Sequence, residues 1–247
     1  MAAAGAPAAG GGRRPRGAAA GRVSLLACYG GSFDPVHLGH MAVALAVRDA
    51  LDAEVALLPA ADPPHKDATH AGAIARTRML ELAIAGEPGL RVDPLELERA
   101  GPSYSIDSLR LVRAKQGPYR PIAWVVGGDS LLRLDTWYRW RELFAHGHVL
   151  AVARPGSPVA PDDIAARAPA VERELGARRR PPDALAEAPA GGFAVLELPR
   201  LRAESSTEVR RRIAADDGWE SMLPPAVAGF IRERRLYGYG PATGPSL

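Results

Sequence analysis

The sequence predicts an α/β protein with a Rossmann-like, doubly wound parallel sheet in a single domain. Three observations support this prediction. Short apolar runs end at glycine or proline, segments with helical spacing separate them, and no internal repeat is visible. Strands that alternate with helices favour a parallel sheet covered on both faces. The 247 residues, 47% of them hydrophobic, suffice for such a core.

Six apolar runs predict the strands, and the segments between them predict the helices. The strands are expected at 23–29, 54–58, 90–92 with a possible extension to 97, 122–126, 149–153 and 193–198. The helices are expected at 38–51, 74–85, 105–115, 207–214 and 225–236, with a mostly helical stretch over 131–144. Ligands bind such sheets beyond the carboxyl ends of the strands. We therefore expect the site in the loops after Tyr29, Leu58 and Val126.

Charge and composition set the expected domain boundaries. Residues 1–22 hold four arginines and no acidic residue, whereas the remaining 225 residues hold 27 basic and 28 acidic side chains. The net charge of +3 therefore belongs to an Ala-, Gly- and Arg-rich tail, which we expect to be disordered. The domain is expected over 23–238, with a variable insertion at 155–192 and a C-terminal tail at 239–247. A neutral body argues against a nucleic-acid partner.

Several other classes of protein are excluded. No run of 18 apolar residues exists, which argues against a membrane-spanning protein, and one cysteine rules out a disulfide framework or a multi-cysteine metal site. Arg13-Arg14 followed by an apolar stretch up to Cys28 resembles an export signal, but Arg22 interrupts that stretch. We expect a cytoplasmic protein without a membrane partner.

The most informative segment is Gly30–His40, with the sequence GGSFDPVHLGH. Its glycines allow a phosphate to approach the backbone, and the helix that follows offers unpaired N–H groups at its positive end. The segment lacks both the Gly-x-Gly-x-x-Gly fingerprint and the Gly-Lys-Ser/Thr of a Walker loop. Instead, His37 and His40 lie three residues apart, on one face of the first helical turn. There, imidazole N–H groups can stabilise charge on a transferring phosphoryl group.

This run resembles the His-x-Gly-His motif of the nucleotidyltransferase superfamily and, over its full length, that of bacterial nicotinate mononucleotide adenylyltransferases. Other segments resemble that family in the same order and spacing. They are Pro63–Lys66 (PPHK), Pro102–Leu109 (PSYSIDSL), Gly127–Ser130 (GGDS) with Leu134 and Trp137, Arg154–Gly156 (RPG), Ser205–Arg210 (SSTEVR) and the closing Leu223–Tyr237. The resemblance covers about residues 25–238 and implies a nucleotidyltransferase-type fold. Ser105, Ser108, Gly128 and Glu204 depart from the family pattern.

The resemblance implies adenylyl transfer from ATP to nicotinate mononucleotide, giving deamido-NAD and pyrophosphate. Mg²⁺ is expected to arrive on the triphosphate, without a resident metal site. The resemblance implies that His37, His40 and Arg210 are catalytic. The expected ATP-binding residues are Gly30, Gly31, Ser32, Phe33, His37, His40, Gly127, Asp129, Ser206, Thr207 and Arg210. The expected mononucleotide-binding residues are Lys66, Tyr104, Ser105, Asp129 and Trp137.

Alternatives stay open for several of these assignments. Arg210 also fits a solvated helix charge, and Lys66 fits an exposed loop lysine. Trp137 is expected to stack on the pyridine ring, whereas Trp140 is expected in the core.

Other functions also compete. A related enzyme acting on nicotinamide mononucleotide or another phosphorylated acceptor is the nearest one; His37 and the Trp137 segment oppose a phosphopantetheine acceptor. A class I aminoacyl-tRNA synthetase would need a Lys-Met-Ser-Lys-Ser loop, which is missing. A nucleotide-binding or nucleic-acid-binding module without catalysis is disfavoured by the neutral body. The sequence does not indicate an oligomeric state.

Overall fold

A computed structural model describes residues 24–61, 70–99, 101, 103–153, 159–198 and 204–240. These residues contain six strands in one sheet. In chain order, β1 to β6 span Leu26–Gly31, Glu54–Pro59, Leu90–Val92, Ile122–Gly127, His148–Ala153 and Phe193–Glu197. All strand pairs are parallel, as the sequence predicts.

The strand order is β3-β2-β1-β4-β5-β6. The order reverses between β1 and β4, and at such a switch point the adjacent loops diverge and leave a crevice for a ligand. β1 ends at Gly31 and β4 at Gly127, with Tyr29 paired to Val125 in the register between them. The predicted doubly wound sheet is confirmed, and its switch point lies at these two strand ends, where a ligand crevice is expected.

Helices cover both faces of the sheet. Within the described residues, α1 to α9 span Leu38–Leu51, Ala73–Ile84, Ser105–Gln116, Gly128–Leu131, Leu143–His146, Pro161–Arg167, Pro169–Gly176, Ser206–Ala215 and Pro225–Arg234. Short 3-10 turns span Leu134–Thr136, Trp140–Glu142, Pro182–Glu187, Trp219–Met222 and Leu236–Gly238. The start of β1 shows how the two layers arise, because Leu26 and Cys28 join one apolar cluster whereas Ala27 and the preceding Leu25 join a second one. No described helix has the length and apolarity that crossing a membrane requires.

The prediction of a mostly helical stretch over 131–144 is wrong, because the structure has no continuous helix there. This stretch divides into short α-helical and 3-10 turns, because Trp137 is extended and Arg139 has a positive φ of 53°. This path buries Leu134 and Trp140 in the core while keeping Trp137 half-buried at the edge. The prediction that Trp140 belongs to the core is confirmed.

A second correction concerns α2. The helical spacing that predicts this helix includes Ile74, yet Ile74 is 89% exposed, and the buried residues of the helix are Arg76, Met79 and Leu80. The arginine is buried because main-chain carbonyl groups surround its guanidinium group, as described below.

The described part of the segment predicted as an insertion, residues 159–192, contributes to the core. Ile164, Val171 and Leu175 belong to the same apolar cluster as the outer strands, and Leu185 belongs to the cluster on the other face. This part of the segment therefore covers the β5–β6 side of the sheet, and its variable character stays a prediction.

Candidate active site

The loop that leaves β1 places the ring of Phe33 against the ring of His40. Phe33 has a positive φ of 48°, and the Asp34–Pro35 peptide bond is cis. The Phe33 ring is fully buried and its centroid lies 5.0 Å from that of His40. A Cβ on Gly31 would lie 3.1 Å from Phe33 Cζ, so a larger residue there would displace this ring. Phe33 is buried as a whole residue, so its contact with ATP stays a prediction.

His37 and His40 lie side by side in the first turn of α1. Their ring centroids are 3.7 Å apart, with 29° between the ring planes. His37 is the N-cap residue, and its backbone N–H donates to Nδ1 of His40 at 3.3 Å. Because Nδ1 is the acceptor, the neutral His40 ring is assigned its proton on Nε2. The predicted juxtaposition is confirmed, and it provides an N–H donor at the positive end of a helix.

Gly39 makes room for this arrangement. A Cβ at this position would lie 2.9 Å from Nδ1 and 3.0 Å from Cε1 of His37. Any larger residue would therefore displace the His37 ring, which is almost fully buried. The spacing His-x-Gly-His thus requires glycine because of a close side-chain approach.

A second helix N-terminus lies against the same loop. Helix α8 begins at Ser206, one residue before the predicted start, and the Ser205 side chain caps it. Oγ of Ser206 donates to the carbonyl oxygen of Pro35 at 3.0 Å, and Nη1 of Arg210 donates to that of Asp34 at 2.7 Å. Two helix N-termini and a guanidinium group therefore meet at one loop, which favours anions such as phosphate.

Of the three successive arginines in α8, Arg210 is the one that contacts this loop. Arg211 and Arg212 instead pair with Glu208, and their hydrogen bonds lower the pKa of that carboxyl to about 2. Nη2 of Arg210 lies 3.5 Å from Oγ1 of Thr207, which is exposed. Arg210 is therefore bonded to the main chain of the loop, unlike a solvated helix charge, and its role at the site stays a prediction.

Three of the predicted mononucleotide-binding residues, Tyr104, Ser105 and Trp137, lie around the start of α3. Tyr104 is the N-cap residue of α3 and Ser105 is its first residue. The rings of Tyr104 and Tyr138 have centroids 4.8 Å apart, so the segment that carries Trp137 lies against this helix start. Trp137 packs on the apolar core with part of its side chain exposed.

A buried carboxyl group supports this helix start. Oγ of Ser108 donates to Oε1 of Glu96 at 2.7 Å. Burial raises the pKa of Glu96, although hydrogen bonds from Ser108 and Ser103 oppose the rise. Because these two serines flank Tyr104 and Ser105, Glu96 holds both sides of the turn. Sequence reasoning missed Glu96, whose only signal is an acidic residue within an otherwise apolar Leu-Glu-Leu run.

The remaining predicted residues lie either at the ends of β1 and β4 or outside the described residues. Gly30 and Gly31 close β1 and Ser32 follows, whereas Gly127 ends β4 and Asp129 lies exposed in α4. Lys66, like the rest of the Pro-Pro-His-Lys segment and the Arg-Pro-Gly segment, lies outside the described residues. Among those that are described, no group of three or more His, Cys, Asp or Glu side chains is arranged to hold a metal ion.

Sequence reasoning also missed Arg76, a buried support of the loop. Its guanidinium group donates to the carbonyl oxygens of Ser32 (2.7 Å), Ala71 (3.1 Å) and Ala61 (3.2 Å). In the sequence, Arg76 is an arginine within a predicted amphipathic helix. Arginines on the solvent-facing side of such helices look the same, so the sequence does not distinguish a buried arginine from a surface one.

An all-parallel sheet of this order, with a histidine pair in its first strand–helix turn, defines a nucleotidyltransferase. Comparison with known proteins agrees: the profile of the cytidylyltransferase-like family matches residues 28–212. The chain belongs to this family and, within it, to the group of bacterial nicotinate-nucleotide adenylyltransferases.

Curated relatives carry that group's name. A probable nicotinate-nucleotide adenylyltransferase of Stenotrophomonas maltophilia is 47% identical over 220 residues, 87% of this chain and 97% of the relative. One of Laribacter hongkongensis is 43% identical over 210 residues, 85% of this chain and 92% of the relative. Among solved structures, a Plasmodium falciparum nicotinic acid mononucleotide adenylyltransferase complexed with NaAD has a TM-score of 0.67 at 15% identity, covering 88% of this chain and 98% of that chain. At that identity the likeness shows the fold.

Proposed function

We propose that this protein transfers the adenylyl group of ATP to nicotinate mononucleotide, giving deamido-NAD and pyrophosphate. One observation carries the proposal: the stacked pair of His37 and His40 lies where the N-termini of α1 and α8 meet Arg210. The names of the relatives at up to 47% identity support the choice of acceptor.

The chemistry needs little from the protein beyond positioning and charge stabilisation. The mononucleotide phosphate is already an anion at neutral pH, so it attacks the α-phosphorus of ATP without an activated side chain. The bond between the α-phosphorus and the bridging oxygen breaks, and pyrophosphate leaves with that electron pair. We assign the imidazole N–H groups of His37 and His40 to the oxygens that gain charge in this step.

Arg210 and the start of α8 are assigned to the leaving group. A guanidinium group has five N–H donors, so the one that Arg210 gives to the Asp34 carbonyl leaves others for the β- and γ-phosphates. Mg²⁺ is proposed to enter as the ATP complex, held by phosphates and water as is usual for this ion. Gly30, Gly31, Ser32, Gly127 and Asp129 are assigned to the nucleotide.

The acceptor is assigned to the α3 side of the crevice. N–H groups at Tyr104 and Ser105 suit a carboxylate, because a helix N-terminus favours negative charge, and the Trp137 ring offers a stacking surface. An amide acceptor would need a hydrogen-bond acceptor as well as donors. Lys66 keeps its proposed contact with the mononucleotide phosphate, and a cytoplasmic location stays a prediction.

One assay separates the proposal from its competitors. The purified protein is incubated with ATP, Mg²⁺ and one of three acceptors, nicotinate mononucleotide, nicotinamide mononucleotide or phosphopantetheine, and pyrophosphate is measured. We expect the nicotinate compound to give the fastest release. A preference for either other acceptor contradicts the proposal, and the His40→Ala variant controls for a contaminating activity.

A further inference from the structure

The side chain of Asp34 joins three distant segments of the chain. Its Oδ1 accepts the hydroxyl of Tyr237 at 2.7 Å and the backbone N–H of Ala71 at 3.1 Å. Its Oδ2 accepts the backbone N–H of His70 at 2.7 Å. Asp34 is buried, with 3% of the residue's surface exposed. Both carboxylate oxygens of Asp34 therefore accept hydrogen bonds from the protein itself. Because Asp34 lies three residues before His37, these bonds hold the loop that leads to the histidine pair.

Donors from other elements also hold the main chain of this loop. The carbonyl oxygen of Ser32 accepts from Arg76, that of Asp34 from Arg210 and that of Pro35 from Ser206. Arg210 and Ser206 belong to α8, and Arg76 belongs to α2. Residues of α2 and α8 thus hold the main chain of the loop, and the C-terminal turn adds a contact to the side chain of Asp34.

That C-terminal contact comes from Tyr237, in the 3-10 turn Leu236–Gly238. Tyr237 has a positive φ of 59°, uncommon for an aromatic residue, so its surroundings must hold this conformation. Burial and the neighbouring Asp34 carboxylate raise the pKa of the Tyr237 hydroxyl, which stays a hydrogen-bond donor over the physiological pH range. The helix preceding it ends at Arg234, and the left-handed Arg235 redirects the chain towards Asp34.

We propose that Tyr237 is a positioning residue for adenylyl transfer: through its hydrogen bond to Asp34, the C-terminal turn holds the loop that carries His37 and His40. This inference rests on the proposed function. Tyr237 does not need to touch either substrate. Its contribution reaches the reaction through the geometry of the imidazole groups, so it acts on the transition state more than on substrate binding.

The test is the Tyr237→Phe variant, which keeps the ring and removes the hydroxyl. We expect kcat to fall about tenfold, because a small displacement of catalytic groups is costly, with KM for ATP changed by less than about threefold. The matched control is Tyr239→Phe: Tyr239 packs on Trp219 and has no described contact with the loop, so its kcat should stay at the wild-type value. A kcat within about twofold of wild type for Tyr237→Phe, or an equal loss for Tyr239→Phe, overturns the proposal.

A double-mutant cycle with His40→Ala separates positioning from general stabilisation of the fold. If Tyr237 acts through the histidine pair, Tyr237→Phe should change kcat little once His40 is gone. Equal factors in both backgrounds contradict the proposal. The Asp34→Asn variant provides a second route, since its combination with Tyr237→Phe should cost no more than the larger single change.

An NMR measurement keeps the inference independent of the assigned reaction. Imidazole signals of His37 and His40, identified with single histidine-to-glutamine variants, should shift in Tyr237→Phe and not in Tyr239→Phe. Unchanged signals overturn the positioning role even if the wild-type protein releases no pyrophosphate. Conversely, shifted signals in a protein that is inactive with all three acceptors uphold the positioning role and refute the proposed function.

Discussion

Nδ1 of His148 accepts the backbone N–H of Gly192 at 2.8 Å, while its Nε2 lies 2.8 Å from the carbonyl oxygen of Ala188. This pair of contacts assigns the neutral ring with its proton on Nε2. His148 begins β5, so the ring links the sheet to the end of the 159–192 segment. Protonation of Nδ1 would break this hydrogen bond, because Nδ1–H and the Gly192 N–H would then be two donors facing each other.

The protein should therefore lose stability as the pH falls below about 6.5, the ordinary pKa of histidine. Burial lowers the pKa of His148, and the nearby Arg113 and Arg180 lower it further. The unfolded chain thus binds a proton at a pH where the native ring does not, and stability falls until the native pKa is reached. Urea unfolding from pH 8 to 5 measures this slope. It should flatten in His148→Asn, whose Oδ1 can accept from Gly192; an unchanged slope would assign the effect to another group.

Replacing His40 should reduce catalysis more than substrate binding. We expect His40→Ala to lower kcat by about 100- to 1,000-fold, the usual effect of removing one donor to a developing charge. His40→Gln should lose less, because its amide N–H can occupy part of the space of Nε2–H. Steady-state kinetics with ATP and nicotinate mononucleotide provide the measurement. Near-wild-type transfer by His40→Ala would refute the role assigned to this residue.

The change Gly39→Ala should impair activity while the protein stays folded. Its Cβ would lie 2.9 Å from His37 Nδ1, so the His37 ring must move. Gly229→Ala is the matched control, since a Cβ there meets no atom within 4 Å and the residue lies in α9. Alanine at 229 should raise the free energy of unfolding by about 0.5–1 kcal/mol with unchanged activity. Equal kinetic parameters for the two variants would show that the close approach to His37 is unimportant.

Removing the ring of Trp137 should weaken binding of the mononucleotide selectively. We expect Trp137→Ala to raise KM for nicotinate mononucleotide about tenfold, which corresponds to about 1.4 kcal/mol. KM for ATP should change little. The comparison variant is Trp140→Phe, which alters a buried ring and should lower thermal stability instead. Equal loss of affinity for both substrates in Trp137→Ala would contradict the stacking role.

Local sequence patterns account for the elements that position the crevice. β1, β2 and β4 are apolar runs that end at glycine or proline, and helix α1 matches its predicted bounds of 38–51. The His37–His40 spacing is itself a helical period, so their juxtaposition follows from one turn of backbone. These features depend on neighbours in the chain, and a single sequence contains that information.

The supports of the loop depend on contacts that no local pattern contains. Asp34 and Tyr237 are 203 positions apart, and Ser206 contacts Pro35 across 171 positions. Arg76 is read as a surface residue because its partners are main-chain carbonyls, which leave no side-chain signature. The break in 131–144 has a similar origin, since Leu134 and Trp140 pack in a core cluster whose other members include residues distant in sequence.

The bond between Asp34 and Tyr237 also orders events during synthesis. The histidine loop is among the first described segments to be made, whereas the hydroxyl that holds it belongs to the last described turn. A growing chain can make helix α1 early, but the hydrogen bond that Tyr237 gives to Asp34 must wait until Tyr237 has emerged. The full set of contacts that holds the histidine loop should therefore form only after the residues up to Tyr237 have been made.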